Sequence, residues 1–314
     1  MKELNLDLFF WTASERHRIY TLKEFGIEKP WTHDEIFRNS YFCNVFRDVD
    51  KVSRWIITHV MEKYSDHPNL WKAIILSRVI SRISTLEKLE KYDALIHNYK
   101  DAYEILREMQ SNGEPIVTGA FIINSGPYDK VSYIFRMLMA FDNLIVEGIP
   151  FGDWIETNNS LQESVKTLKR VYGIANFMAY QYTCDFTYTR YLKYANDLYS
   201  YVMLGLGAVR GMNRLVNGSP SSNKIPEGIE YAKRILYEWN NYVHHNLNYE
   251  MQKTYNLIKD KRKDTTKDYG ELISYVEKSY RHFKDLKLQD VQHWLCEYDK
   301  YCRGGSSKRR YKGS

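Results

Sequence analysis

The sequence of 314 residues is short of the features that mark membrane and secreted proteins. No apolar run approaches the roughly 20 residues that a membrane-spanning helix needs, so a protein that crosses a bilayer is not expected. The start of the chain, Met1 to Trp11, mixes charged with apolar residues and lacks a secretory signal pattern. We therefore expect an intracellular, cytoplasmic protein with no membrane partner.

Cysteine is scarce, and its spacing is unlike that of a zinc site. The four cysteines are Cys43, Cys184, Cys296 and Cys302, and no two of them form a C-x-x-C pair. The sequence also contains no Walker A motif, no H-E-x-x-H and no G-x-S-x-G. These absences argue against a P-loop kinase, a zinc protease and a serine hydrolase. We expect buried, reduced thiols and assign no metal-binding residue.

Helical periodicity dominates what the sequence does contain. Strand-like alternation is best seen at residues 116–123, which could equally be the start of a buried helix. The pattern predicts a mainly α, multi-helical single domain over residues 1–303 and a basic flexible tail at 304–314. A net charge of +6 and 27 tyrosines permit a nucleic-acid partner without establishing one, since Tyr also fills cores. The predicted helices are 44–63, 68–91, 94–111, 129–145, 160–170, 174–184, 227–258, 268–284 and 288–303.

The most informative segment is the predicted helix from Asp290 to Arg303. Helical spacing collects its apolar residues on one buried stripe and places His293, Glu297 and Lys300 on another, at i, i+4 and i+7. An imidazole, a carboxyl group and an amine fixed in one row can exchange protons with a substrate. We therefore treat these three residues as candidate catalytic residues.

A second candidate site lies at residues 44–55, where helical spacing gives a cationic row of Arg47, Lys51 and Arg54 with Asp50 beside it. Two interpretations stay open. The row is either a solvated face tied by intrahelical ion pairs, each worth ~0.3–0.5 kcal/mol, or a phosphate clamp, since Arg offers planar bidentate donors.

A third candidate is a helix-hairpin-helix element. One helix ends near Tyr172, Gly173 begins a tight hairpin, and a second helix runs to Asp185. Backbone N–H groups of such a hairpin can hold a DNA phosphate, although an ordinary C-terminal turn remains an alternative. A carboxylate at the C-terminal end of a helix opposes the helix dipole, so we expect another group to hold Asp185 in place.

The segment from Gly205 to Arg214 superficially resembles a dinucleotide-binding fingerprint. Arg210 stands where the third glycine is expected, and no βαβ pattern surrounds the segment, so a nicotinamide site is rejected. A glycine-rich loop carrying Arg210 and Arg214 could still approach a phosphate chain closely. A plain packing turn is the equal alternative.

Taken together, these segments resemble the phage thymine-hypermodification family. Its members are amino-acid:DNA transferases, also called α-glutamyl/putrescinyl-thymine pyrophosphorylases, and a related helical domain accompanies the 5-hydroxymethyluracil-DNA kinases. The matching segments follow the family's order over nearly the whole chain. They are Glu15-Arg16, Lys29-Pro30-Trp31-Thr32, Phe42 to Trp55, Thr118 to Phe121, Gly173 to Asp185, Gly205 to Leu215, Leu295 to Arg303 and Arg310-Tyr311.

The resemblance implies a DNA-modifying enzyme that acts in the host cytoplasm if the chain is phage-encoded. It would displace the pyrophosphate of a pyrophosphorylated 5-hydroxymethyluracil in DNA with an amine, either an amino acid or a polyamine. The target base would be flipped out of the duplex, and a divalent cation such as Mg²⁺ could assist. The alternatives are a DNA base glycosylase for a modified pyrimidine, which Asp185 after a hairpin suggests, and a non-catalytic DNA-binding module.

This chemistry gives each candidate residue a role. The catalytic candidates are Asp185, Glu297, His293 and Lys300, and either Asp185 or Glu297 would deprotonate the amine. The candidates for phosphate or DNA binding are Arg47, Asp50, Lys51, Arg54, Gly173, Arg210, Arg214 and Arg303. The aromatic residues that would stack on a base are Trp31, Tyr180 and Tyr182. We expect these side chains to converge around one anionic pocket.

Overall fold

The computed structural model describes residues 2–97, 99–118, 126–261 and 269–305. The described part is mainly α-helical and contains one small antiparallel pair of strands, β1 (Ile145–Val146) and β2 (Ile149–Pro150), so the predicted fold class is confirmed. Residues 119–123 of the strand candidate and residues 306–314 of the predicted basic tail lie outside the described residues. The helices are α1 (Asp7–Glu24), α2 (Glu35–Asn39), α3 (Lys51–Ile56), α4 (Leu70–Ile80), α5 (Ile83–Lys91), α6 (Tyr99–Ser111), α7 (Lys130–Asp142), α8 (Phe151–Thr157), α9 (Leu161–Leu168), α10 (Asn176–Phe186), α11 (Leu206–Asn217), α12 (Gly228–Lys261), α13 (Tyr269–Tyr280) and α14 (Leu288–Cys302).

The described residues fall into two compact units. The first unit comprises residues 2–50 and 202–305, and the second comprises residues 51–201. Each has its own buried aromatic and aliphatic side chains, which supply most of the favourable free energy of folding. The extent of the single domain predicted over residues 1–303 stays a prediction. In the described residues, no helix combines the length and the apolar character needed to cross a membrane.

The first unit is built around the 34-residue helix α12, which packs against α1, α13 and α14. Its core is largely aromatic. The Trp239 ring meets Phe10 edge to face at 5.4 Å and packs against Phe283 at 5.1 Å. Its indole N–H donates to the Phe283 carbonyl at 2.8 Å, which satisfies the polar group of a buried ring. This core fixes the position of α14.

Helix α11 packs unusually close to α14. A Cβ atom on Gly211 would lie 2.1 Å from the Leu295 carbonyl oxygen, and one on Gly207 would lie 3.0 Å from the Cys296 Sγ. The glycines therefore allow two helix backbones to touch, which a larger side chain would prevent. The interpretation of this segment as a glycine-rich loop that approaches a phosphate chain is wrong, because Gly207 and Gly211 lie inside a helix and face α14.

The helix predicted over residues 44–63 is broken. Arg47–Val49 forms a 3₁₀ turn, Asp50 has extended backbone angles, and a new helix, α3, starts at Lys51 and continues as a π-helical turn. The carboxylate of Asp50 accepts the Asn44 N–H at 3.1 Å, which closes a local turn in place of a helix. Arg47 consequently does not share one helical row with Lys51 and Arg54, and the predicted cationic row is wrong.

The second unit is organised by α4, whose side chains are buried almost throughout and which packs against α7 and α10. The prediction of two helices joined by a hairpin at Gly173 is confirmed in α9 and α10, although α9 ends at Leu168, before Tyr172. Gly173 has φ +84°, and a Cβ there would lie 2.6 Å from the Tyr133 ring, so the turn requires glycine on two counts.

The close packing of α11 on α14 makes a testable prediction about Gly211. Gly211→Ala should lower the free energy of unfolding by about 1–3 kcal/mol or more, because the new methyl group overlaps the Leu295 carbonyl. Urea denaturation followed by circular dichroism measures this. The matched control is Leu206→Ala on the same helix, an exposed position where a change within about 0.5 kcal/mol is expected. Equal stability of both variants would contradict the packing described here.

Candidate functional site

Helix α14 carries ionisable side chains on two opposite faces. At 3.6 residues per turn, Glu297 and Asp299 project about 200° apart around the helix axis. Glu297 shares its face with Lys300 and His293, so the row predicted from the sequence exists. Asp299 points to α11 and meets Arg210 and Arg214.

The first face forms what we call the Glu297 cluster: Glu297, Lys300, Arg16 and Asp50, grouped around the backbone of residues 41–44. The Cys43 N–H donates to the Glu297 carboxylate at 3.1 Å, and the Lys300 amine lies 3.5 Å from the same oxygen. Lys300 also donates to the Tyr41 carbonyl. The side chains of Glu297 and Lys300 are 14% and 18% exposed, so both retain a route to solvent.

Arg16 and Asp50 complete the Glu297 cluster. The Arg16 guanidinium donates twice to the Phe42 carbonyl, at 3.0 and 3.1 Å, and it interacts electrostatically with Asp50 and Glu297. Charged side chains thus bond the backbone groups of four consecutive residues, 41–44, which belong to no helix or strand. Two acidic and two basic groups are thereby fixed in one place.

The Glu297 cluster changes the acidity of its members. Burial raises the pKa of Glu297 above its ordinary value, and the nearby Asp50 charge adds to the rise, while Lys300 and the Cys43 N–H oppose it without cancelling it. Burial lowers the pKa of Arg16 and raises that of the Cys43 thiol. Glu297 is therefore a stronger base than a solvated glutamate, and Cys43 stays a thiol.

The N-terminal end of α14 is tied to the 3₁₀ turn through Asp290. One carboxylate oxygen accepts the Arg47 N–H at 2.9 Å, and the other accepts the Lys287 N–H at 3.0 Å. Burial raises the pKa of Asp290 to about 6, with the Asp48 charge adding to the rise. The Arg47 side chain is buried here, whereas the phosphate-clamp interpretation expected a solvent-facing guanidinium.

The second face of α14 forms what we call the arginine cluster: Asp299 with Arg210, Arg214 and Arg303. The Asp299 carboxylate accepts the Nε–H of Arg210 and of Arg214 at 2.9 Å each, and that of Arg303 at 3.2 Å. Asp299 is fully buried, while the three arginine side chains are 34%, 15% and 36% exposed in that order. The structure thus brings together all three arginines predicted from α11 and α14.

Asp299 was missed by sequence reasoning, although the signal was present. It precedes Arg303 by four residues, and Arg210 and Arg214 are also four apart, so each pair shares a helix face. Burial alone would raise the pKa of Asp299, but the hydrogen bonds from Arg214 and Arg210 and the charge of Arg303 outweigh it and lower the pKa. The carboxylate is therefore ionised at neutral pH.

Asp185 belongs to the second unit and is held by Arg78. The guanidinium of Arg78 donates to both carboxylate oxygens, at 2.5 and 2.7 Å, and also to the Ser53 hydroxyl at 3.0 Å. The expectation that another group holds Asp185 is confirmed. Asp185 and Arg78 are both buried, and both Asp185 oxygens already accept hydrogen bonds. The role of Asp185 as a base stays a prediction, and its burial weighs against it.

The remaining predicted residues differ in accessibility. Lys51 and Arg54 are exposed on α3, and Gly173 is exposed at the hairpin. Tyr180 and Tyr182 are buried in α10, so neither presents a ring face on which a base could stack. Trp31 is half-buried, and its indole N–H donates to the Ile27 carbonyl at 2.5 Å.

The expected thiol chemistry is confirmed in part. None of the four cysteines forms a disulfide bond, but only Cys184 is fully buried. In the part of the chain that the structure describes, no three His, Cys, Asp or Glu side chains group closely enough to hold a metal ion.

Comparison with known proteins places this chain in a family. A family model described as "5-hmdU DNA kinase, helical domain" matches residues 3–310. The 5-hmdU DNA kinase of Bacillus phage SP10 is 23% identical over 330 residues, which cover 97% of this chain and 46% of that protein. The chain thus spans less than half the length of this relative. No solved structure matches.

The buried pair of Arg78 and Asp185 makes a prediction about stability. Arg78→Met should lower the free energy of unfolding by about 3–5 kcal/mol, because it leaves a buried carboxylate without its partner. The control is Lys166→Met, which removes an ion pair to Glu163 whose side chains are more than half exposed. That change should cost at most about 1 kcal/mol. If chemical denaturation showed equally small losses for both variants, the pair would not be structural.

Proposed function

Because the chain belongs to the family of the 5-hmdU DNA kinase helical domain, we propose that it acts on 5-hydroxymethyluracil-derived bases in phage DNA. More specifically, we propose a transferase that replaces the pyrophosphate of a pyrophosphorylated 5-hydroxymethyluracil with an amine. The substrate would be DNA carrying this base, and the second substrate would be an amino acid or a polyamine.

The Glu297 cluster is the observation that carries this proposal. An amine is protonated in neutral water and must lose a proton before it can attack carbon. Glu297 is a partly accessible carboxyl group whose pKa is raised by burial, and a raised pKa makes a carboxylate a better proton acceptor. Glu297 is therefore the proposed base, with His293 on the same helix face as the proposed proton relay.

The same cluster supplies positive charge for the leaving group. In the proposed reaction the amine nitrogen bonds to the exocyclic carbon of the base, the carbon–oxygen bond to pyrophosphate breaks, and the amine proton passes to Glu297. Lys300 and Arg16 are the nearby cations that would stabilise the negative charge on the departing pyrophosphate. A divalent cation bound to the pyrophosphate oxygens would share that role.

The hairpin of the second unit supports a DNA substrate. Tyr172, Gly173 and Phe177 are exposed, and α10 begins at Asn176 after the N-cap residue Ala175, whose side chain cannot accept a hydrogen bond from the first N–H groups. Uncapped N–H groups at a helix start favour phosphate oxygens, and exposed aromatic rings can stack on bases. These features suit contact with a DNA strand.

A second candidate function is a non-catalytic module that recognises modified DNA. The observation in its favour is that the family model that matches the chain describes the helical domain of a kinase and not the whole enzyme. Such a module would bind DNA, and it would bind equally well when Glu297 is replaced by Gln. A base glycosylase is supported less, because Asp185, its motivating residue, already uses both carboxylate oxygens on Arg78.

The direct test supplies duplex DNA containing pyrophosphorylated 5-hydroxymethyluracil together with a panel of amino acids and polyamines. Mass spectrometry of the digested nucleosides should show a new aminated base, and free pyrophosphate should appear with it. An abasic site with free base would indicate a glycosylase. Folded protein that binds the DNA and yields no new nucleoside with any amine would contradict the transferase.

The raised pKa of Glu297 predicts a pH dependence. A general base works only when deprotonated, so the rate should fall as pH drops through a pKa above 4.5, the ordinary glutamate value. Glu297→Gln should lower the rate at least ~10²-fold and remove this acidic limb. The exposed Glu163→Gln is the matched control and should leave both unchanged. If Glu297→Gln kept the rate and the pH profile of the unchanged protein, Glu297 would not be the base.

A further inference from the structure

The arginine cluster gathers more positive charge than its buried carboxylate needs. One arginine would neutralise Asp299, yet three donate to it. Three guanidinium charges against one carboxylate leave about two positive charges in excess, and like charges held this close repel one another. A purely structural ion pair gains nothing from this excess, whereas a site for an anion does.

The way in which Arg210 and Arg214 bind Asp299 leaves the outer edges of these two guanidinium groups available. Arg210, Arg214 and Arg303 each use Nε–H. A guanidinium has five N–H donors, and the two terminal nitrogens form a second edge that matches two oxygens of a phosphate. Among the described residues, the terminal nitrogens of Arg210 and Arg214 donate no hydrogen bond, and both side chains are partly exposed.

The cluster is built on rigid elements. Arg210 and Arg214 lie one turn apart on α11, which glycines hold in backbone contact with α14, and Asp299 lies within α14. Fixing long arginine side chains in advance lowers the entropy lost when an anion binds. Asp299 thus holds the three arginine side chains in fixed positions before an anion binds.

From this geometry we propose that Asp299 is a positioning residue that shapes Arg210, Arg214 and Arg303 into one binding site for a phosphodiester of the DNA backbone. This inference rests on the proposed function only in taking DNA as the substrate. The leaving pyrophosphate is a poorer match, because Asp299 projects to the opposite face of α14 from Glu297, the proposed base.

The test measures affinity for an unmodified DNA duplex by fluorescence anisotropy at several salt concentrations. Electrostatics alone predicts that Asp299→Asn, which removes a negative charge, binds DNA more tightly. The positioning role predicts the reverse, a loss of at least about 5-fold, because the arginines lose their common anchor. Asp260→Asn, an exposed aspartate of the same unit, is the control with equal charge change, and its affinity should stay equal or rise slightly.

A second variant, Arg214→Lys, tests the same inference if Asp299→Asn does not fold. Lysine keeps the charge but cannot donate to Asp299 and a phosphate in the same planar way, so affinity should again fall at least about 3-fold. Arg214→Ala should also reduce the slope of log affinity against log salt by about 1, the effect of one lost phosphate contact. Thermal melting confirms that each variant is folded.

The outcomes separate this inference from the proposed chemistry. Tighter or unchanged DNA binding by Asp299→Asn, with Arg214→Lys also unchanged, overturns the inference. Displacement of DNA by inorganic pyrophosphate at a site that needs Arg214 overturns the assignment to the DNA backbone. The binding assay uses unmodified DNA and involves no turnover. Weaker DNA binding by Asp299→Asn would therefore support this inference even if the amine-transfer assay failed.

Discussion

The structure of the first unit depends on the burial of three carboxyl groups on α14. Asp290, Glu297 and Asp299 lie within ten residues on one helix, and a carboxylate removed from water is costly unless hydrogen bonds and opposite charges compensate it. The chain supplies that compensation from distant segments. The backbone of Arg47 and Cys43 and the side chains of Arg210 and Arg214 all converge on this helix.

The three carboxyl groups differ because their partners differ. Asp290 is bonded by two backbone N–H groups, and Glu297 by one N–H and by Lys300, and these partners do not offset burial, so both pKa values rise. Asp299 is bonded by guanidinium groups, so its pKa falls. One helix therefore presents a proton acceptor on one face and a fixed anion that organises arginines on the other. On the basis of this division we propose the Glu297 cluster as the site of chemistry and the arginine cluster as a site of DNA contact.

The sequence was sufficient to predict the features that depend on local spacing. The mainly α fold, the shared face of His293, Glu297 and Lys300, and the turn at Gly173 all follow from helical periodicity and glycine chemistry. The need for a partner at Asp185 also followed, since it rests on the dipole of its own helix.

Features that depend on tertiary packing could not be predicted. Arg78, the partner of Asp185, is 107 residues away in the sequence. The break at Asp50 arises because its side chain bonds the backbone of Asn44, which competes with helix formation. The glycines of α11 were open to two interpretations, and only the position of α14 decides between them. The candidate residues were predicted to converge on one pocket. In the first unit Glu297 and Arg210 do not, because they lie on opposite faces of α14.

The central claim is that burial and hydrogen-bonding partners set the charge states along α14. A ¹³C NMR titration of the side-chain carboxyl groups, assigned through Asp290→Asn, Glu297→Gln and Asp299→Asn, tests it most directly. Asp290 should titrate near 6, Glu297 above 4.5 and Asp299 below 3.8. An ordinary value for Glu297, or an Asp299 that titrates above Glu297, would contradict it.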